Sequence, residues 1–194
     1  DDPIVVYPIN EIGRHGGTAR LFYAGEQLIN VPEGALRPGP QMRLNLPNFA
    51  EKVEYSDDAK SLRVFLRPGH KWSDGYPITA DDYLFWFNHF LMNKELTPVV
   101  EARFKGARIE KHGDYSFSYH FPQSMPLFVN HLAHNSSRLA MPAHFMRRYH
   151  PAFTDEAQLE SEAEELGLQD WRVYFQAVNN TRDLLYFGRP VDTA

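Results

Sequence analysis

Two pairs of residues have types that could carry out hydrolytic chemistry. Ser73 and Asp74 lie side by side in the segment Trp72-Ser73-Asp74-Gly75, and Asp81 and Asp82 follow a few residues later. However, Asp-Gly is a typical turn sequence and a neighbouring tryptophan usually anchors such a turn in the core. Carboxylates at the start of a helix are also favoured by the helix dipole. We therefore interpret both pairs as structural.

The histidines are the candidates for metal binding. The chain of 194 residues has nine, and His131 and His134 would share one helix face. No third ligand accompanies them, so we predict neither a metal site nor a cofactor. The chain has no cysteine. Disulfides, thiolate zinc sites, iron–sulfur clusters and a cysteine nucleophile are therefore excluded.

Charge and composition narrow the function further. The formal net charge is −5, and Arg147 with Arg148 is the longest basic cluster, so we predict no nucleic-acid partner. The acidic residues between positions 156 and 165 fit a solvated helix face. A hydrophobic fraction of 43% fits a folded globular protein. No apolar run approaches the ~20 residues of a membrane-spanning helix, and the first residues lack signal-peptide features, so we expect no signal segment in this chain.

Hydropathy patterns predict strands, a long loop and a central helix. We expect a strand over residues 18–23, followed by a Gly- and Pro-rich loop over 25–47 that lines a site or is disordered. Alternating apolar residues predict one hairpin around positions 53–66 and a second around 107–121. Thr79 and Asp82 form a capping-box pattern, which predicts a helix over 80–93. This helix should cover the aromatic strand face of Tyr115, Phe117, Tyr119 and Phe121.

The last third of the sequence is predicted to be helical. We expect helices over 126–133 and 142–149, with Pro142 at the first helical position. Asp155 and Gln158 should cap a third helix that ends at Gly167, with a stripe of Leu159, Ala163 and Leu166. A fourth helix should cover 171–178. The remaining tail, 179–194, is polar apart from the apolar residues 184–187.

Several motifs in the middle of the chain resemble one known family. They read, in order, Pro47-Asn48-Phe49-Ala50-Glu51, Tyr55-Ser56-Asp57-Asp58-Ala59-Lys60-Ser61-Leu62, Leu66-Arg67-Pro68-Gly69-His70-Lys71-Trp72-Ser73-Asp74-Gly75 and Ile78-Thr79-Ala80-Asp81-Asp82-Tyr83. Shorter segments, Ile12-Gly13-Arg14-His15-Gly16-Gly17-Thr18 and Met141-Pro142-Ala143-His144-Phe145, extend the similarity. The series resembles the family 5 extracellular solute-binding proteins of bacterial ABC importers.

The resemblance implies an α/β (α+β) fold of the periplasmic-binding-protein type II class, present in part, with a mixed sheet whose hairpins pack on helices. Members of the family hold a solute between two lobes. We expect residues 1–47 to give the first strand and long loop of the first lobe, 48–135 an α/β subdomain and 136–194 a helical return segment. Relatives continue well beyond the length of this chain, so we expect the second lobe to be absent from it.

The implied function is recognition of a peptide or oligosaccharide-like solute and its delivery to an ABC permease in the membrane, without enzymatic chemistry. The implied location is periplasmic or extracellular and membrane-associated. Ligands of open sheets gather beyond the carboxyl ends of strands. We therefore name Phe22, Tyr23, Ala24, Arg138 and Met141 as candidate ligand contacts. The alternatives are a free-standing interaction domain that self-associates through its cleft face and, with less support, a hydrolase.

Overall fold

The computed structural model of the chain describes residues 35–38, 45–72, 74–134 and 139–180. This part contains two antiparallel sheets. A two-stranded ribbon pairs β1 (Leu36–Pro38) with β2 (Asn45–Pro47). A four-stranded sheet has the order β3-β4-β6-β5 and consists of β3 (Ala50–Tyr55), β4 (Ser61–Leu66), β5 (Arg108–Gly113) and β6 (Ser116–His120).

Both predicted hairpins form and meet in the middle of the larger sheet. Leu62 lies opposite Tyr119 and Val64 opposite Phe117, so the apolar residues of β4 and β6 share one face. All four of these side chains are buried. The α/β class is thus confirmed. A mixed sheet was expected, but every strand pair among the described residues is antiparallel.

The predicted loop over residues 25–47 was wrong where the structure describes it. Pro38 and Pro47 both lie in paired strands. Proline is compatible with a strand when its missing N–H would face away from the partner, as it can at the edge of a ribbon. The ribbon also joins the larger sheet, because the N–H of Ala50 donates to the Ala35 carbonyl at 2.8 Å. The strand predicted over 18–23 lies outside the described residues.

The central helix covers the aromatic face of the sheet, as predicted. The rings of Tyr83 and Phe117 stack with centroids 4.7 Å apart, and those of Phe87 and Tyr119 are 6.1 Å apart. The helix is not α-helical throughout. It is an α-helix over Ala80–Phe85 (α1) and a π-helix over Trp86–Leu91, and the Met92 N–H bonds the Phe87 carbonyl five residues back. Apolar residues surround this segment on most sides, so their spacing did not distinguish the two helix types.

Four further α-helices follow in the described part: α2 (Phe128–His134), α3 (Ala143–Met146), α4 (Glu156–Glu165) and α5 (Trp171–Asn180). A 3-10 turn over Arg147–Tyr149 continues α3, and another covers Ala102–Phe104. The Asp155 cap is confirmed, since its side chain accepts the N–H groups of Ala157 and Gln158.

Two details of the helical third differ from the sequence prediction. Pro142 is the N-cap of α3 rather than its first helical residue. Leu166 was expected in a buried stripe with Leu159 and Ala163, but it follows the last turn of α4 and is 62% exposed. The stripe therefore ends one turn earlier than predicted. The predicted tail beyond residue 180 lies outside the described residues.

Candidate functional site

A buried carboxylate, Asp82, connects three segments of the fold. Its Oδ2 accepts the backbone N–H of Thr79 at 2.8 Å and the indole Nε1–H of Trp72 at 3.1 Å. Its Oδ1 accepts the backbone N–H of Ala143 at 2.8 Å. The side chain is only 3% exposed. Asp82 thus fixes both the turn before α1 and the start of α3 to the central helix.

The environment of Asp82 has opposing effects on its charge. Burial raises the pKa of the Asp82 carboxyl, and the three N–H donors and nearby His144 act in the opposite direction. The capping-box pattern predicted the bond to Thr79. It could not predict the bonds to Trp72 and Ala143, because those residues reach Asp82 only through the tertiary fold.

A second pair, Asp74 and His144, lies beside this carboxylate. Asp74 Oδ2 is 2.6 Å from His144 Nε2, and Asp74 Oδ1 accepts the N–H of Tyr76 at 3.1 Å. The Tyr76 ring stacks on His144 with centroids 4.0 Å apart. An Asp–His pair can orient a general base. Here Asp74 Oδ1 holds the turn, where Gly75 has φ +90°, and Oδ2 fixes that turn to His144 of α3, which supports the structural interpretation of this motif.

The predicted ligand contacts lie mostly outside the described residues. This is true of Phe22, Tyr23, Ala24 and Arg138. Met141 is described: it is 4% exposed, and its N–H donates to the Asp82 carbonyl at 3.2 Å. Its side chain therefore belongs to the core of this structure and offers little surface to a solute.

The histidine considered as a metal ligand has a different contact. His131 Nδ1 accepts a hydrogen bond from Arg103 Nη1 at 2.7 Å. Burial, and then the charge of Arg103, lower the pKa of His131 to about 4. The ring is therefore neutral near pH 7. Over the described ranges, no cluster of three or more histidine or acidic residues has a metal-binding arrangement.

A cavity of about 370 Å³ lies beside His131, between the 3-10 turn at Ala102–Phe104 and the start of α2. Its lining is mostly apolar and consists of Arg103, Ser124, Met125, Pro126, Leu127, Phe128 and His131. The sequence alone did not predict this pocket. The available signal was the apolar pair Leu127-Phe128 after a proline, of which Leu127 is 73% exposed and Phe128 only 2%.

Comparison with known proteins places this fold in a family. The family model described as bacterial extracellular solute-binding proteins, family 5 Middle, matches residues 46–165, which is more than half of the chain. The chain belongs to this family. The family 5 match starts in β2 and runs through α4, so it includes Asp82, Asp74, His144 and the pocket.

Individual relatives of this family 5 protein are similar over part of their length. It is 27% identical over 112 residues to the periplasmic alpha-galactoside-binding protein of Rhizobium meliloti, covering 56% of this chain and 16% of the relative. It is 37% identical over 74 residues to the peptidoglycan-binding protein YepA of Agrobacterium fabrum, covering 38% of this chain and 12% of that relative. The solved structure of an oligopeptide-binding protein OppA is similar with a TM-score of 0.72 and 26% identity, covering 76% of this chain and 23% of that one.

The aligned part thus spans less than a quarter of each of these three proteins. The family and these neighbours are binding proteins. Within the part of the chain that the structure describes, no helix has both the length and the apolar character that crossing a bilayer requires.

Proposed function

We propose that this chain is part of a receptor that recognises a solute for an ABC import system and delivers it to a membrane permease. The observation that carries the proposal is the family 5 match over residues 46–165. The named relatives bind different solute classes at similar identity, 27% for the alpha-galactoside-binding protein and 26% for the oligopeptide-binding protein. The proposed solute is therefore a peptide or an oligosaccharide.

The described fold suits one rigid lobe of such a receptor. A binding protein that closes on its ligand needs lobes that move as rigid units, since side chains that shifted independently would not keep the geometry of the site. Here the aromatic core fixes α1 on the sheet, and Asp82 fixes α3 on α1. We propose that the solute lies between this lobe and a second one, with residues 1–47, 48–135 and 136–194 as successive parts of the lobe. Phe22, Tyr23, Ala24 and Arg138 stay the proposed contacts, whereas the buried side chain of Met141 is left out of that set.

Recognition without chemistry is the proposed activity, in a periplasmic or extracellular location. In the best candidate for a reactive pair, Asp74 holds its own turn through the Tyr76 N–H and His144 is covered by the Tyr76 ring, so the pair fixes that turn to α3. A hydrolase would instead direct its base toward a nucleophile and a bound substrate.

The solute class can be tested by isolating the tagged protein from the extracytoplasmic fraction of its host cells under mild conditions. Mass spectrometry then identifies small molecules that copurify with it. A secreted protein with the same tag, purified in parallel, is the control. We expect a peptide or an oligosaccharide to be enriched in intact form. Enrichment of cleaved fragments, or of nothing beyond the control, would argue against the proposal.

A further inference from the structure

The pocket at the start of α2 combines apolar walls with a single cation. Leu127 is 73% exposed, and the half-buried Met125 and the fully buried Phe128 line the cavity beside it. A single exposed apolar side chain is common on protein surfaces, so the informative feature is the apolar cavity that Leu127 borders. The cavity volume of about 370 Å³ is in the range of small-molecule sites, roughly 300–1,000 Å³.

The cation is Arg103, and its binding capacity is only partly used. Its Nε donates to Glu101 at 2.8 Å and its Nη1 to His131 at 2.7 Å. A guanidinium carries five N–H donors, so donors remain after these two contacts within the described structure. The pair with Glu101 is exposed on both sides, 42% and 57%, and such pairs are weak. A ligand carboxylate can therefore bind Arg103 as well as, or in place of, Glu101.

We infer that this pocket binds a small carboxylate with an apolar body. The carboxylate pairs with Arg103 and the apolar body packs against Leu127 and Met125. A phosphate dianion would need more than this one guanidinium, and a sugar would need several polar partners where the walls are Met, Pro, Leu and Phe. Free organic acids and the C-terminal residues of peptides both present this chemistry. The inference goes beyond the proposed function, because it concerns a site on this chain and does not depend on import.

The test compares acids with their neutral amides in a titration of the 194-residue chain followed by NMR. Hydrocinnamate and hydrocinnamamide represent free acids, while N-acetylphenylalanine and its amide represent a peptide C-terminus. Hydrogen bonds to a charged group are stronger than those to a neutral one, so each acid should bind about tenfold more tightly than its amide. The tighter acid of the two identifies the source. Equal affinity of acid and amide, or no binding by either acid, would overturn the inference.

Substitutions locate the binding site. Arg103→Gln should abolish the preference for acid over amide, because it removes the charge and keeps a polar side chain. Leu127→Ser should weaken acid and amide alike, and Leu127 is exposed enough that the fold does not depend on it. The control is Arg108→Gln, an exposed arginine on β5 that pairs with Glu110 outside the pocket. An unchanged preference in Arg103→Gln, or an equal loss in Arg108→Gln, would place binding elsewhere and contradict the inference.

Discussion

The backbone N–H of Ala143 donates to Asp82 Oδ1 at 2.8 Å across 61 residues of sequence. One carboxylate therefore carries the contact between the start of α3 and the central helix, and its other oxygen holds Trp72 and Thr79. The neighbouring Asp81 faces outward and pairs with Lys111 of β5 at 2.9 Å. Two adjacent aspartates thus have different roles, a buried one that joins segments and an exposed one that pairs across the surface.

The first prediction follows from this difference. Asp82→Asn replaces one accepting oxygen by an NH₂ group that faces N–H donors, so at least one buried bond is lost. We expect the free energy of unfolding to fall by about 2 kcal/mol. The matched control, Asp81→Asn, removes only an exposed ion pair and should cost less than about 1 kcal/mol. Urea denaturation of both variants measures the difference. Equal losses would contradict the role of Asp82.

The second prediction concerns the indole donor. Trp72→Phe keeps an aromatic ring in the half-buried site and removes the Nε1–H that bonds Asp82. We expect a loss of about 1 kcal/mol or more in unfolding free energy. In a double-mutant cycle, the variant that carries both Trp72→Phe and Asp82→Asn should lose less unfolding free energy than the two single variants together. The difference should be about 0.5 kcal/mol or more. Strict additivity would show that the bond contributes nothing.

Local patterns in the sequence predicted elements more accurately than the contacts between them. The alternation of apolar and polar residues predicted both hairpins, and the Thr79–Asp82 spacing predicted the start of α1. The pairing of β4 with β6 joins segments more than 50 residues apart and left no local signal. The same limit applies to the bond between Asp82 and Ala143.

The candidate site was less predictable than the fold. Arg103, His131 and Leu127 come from separate segments, and each of them alone is an ordinary surface residue type. The pocket arises because a 3-10 turn lies against the start of a short helix, and no periodicity encodes that arrangement. Even where a residue was named, as with Met141, the sequence did not show that its side chain would point into the core.

The third prediction uses two glycines near the ends of β5. Gly106 has φ +72°, and an added Cβ there would lie 3.3 Å from Pro122 Cγ. Gly106→Ala should therefore lower the unfolding free energy by about 1–2 kcal/mol, from the left-handed backbone and the close contact together. Gly113 has no positive φ and open space around it, so Gly113→Ala is the control and should change stability by less than about 0.5 kcal/mol. Thermal unfolding distinguishes the two outcomes. A Gly106→Ala variant as stable as the control would contradict the prediction.

The fourth prediction is a loss of stability in mild acid. Burial lowers the pKa of His89, His131 and His150, for His131 to about 4. Between that value and the unfolded pKa of about 6.5, the unfolded state binds more protons than the native state. The contribution of these neutral rings to the free energy of unfolding is therefore complete above pH ~6.5 and is lost as the pH falls below that value. The raised pKa of Asp82 has the opposite effect on the free energy of unfolding, and this effect acts nearer the acidic end of that pH range.

His150 offers a way to measure this effect. It is 4% exposed, its Nδ1 accepts the N–H of Ala152 at 3.1 Å, and the proton on Nε2 is then directed at the His89 carbonyl at 2.9 Å. His150→Asn places an amide oxygen near the position of Nδ1 and removes the titrating ring. The loss of unfolding free energy between about pH 7.5 and about pH 5 should be smaller in this variant than in the parent chain. An identical loss would show that His150 does not contribute.

The most direct test of the proposed receptor role is uptake of labelled solute by host cells. Cells with the gene intact and cells with it interrupted are given the same labelled oligopeptides and oligosaccharides, and an intact gene copy is returned as the control. If the chain is part of such a receptor, interruption abolishes energy-dependent uptake of at least one of these solutes, and the returned gene restores it. Uptake of every solute at the parental rate in the interrupted cells would rule out the proposed receptor role.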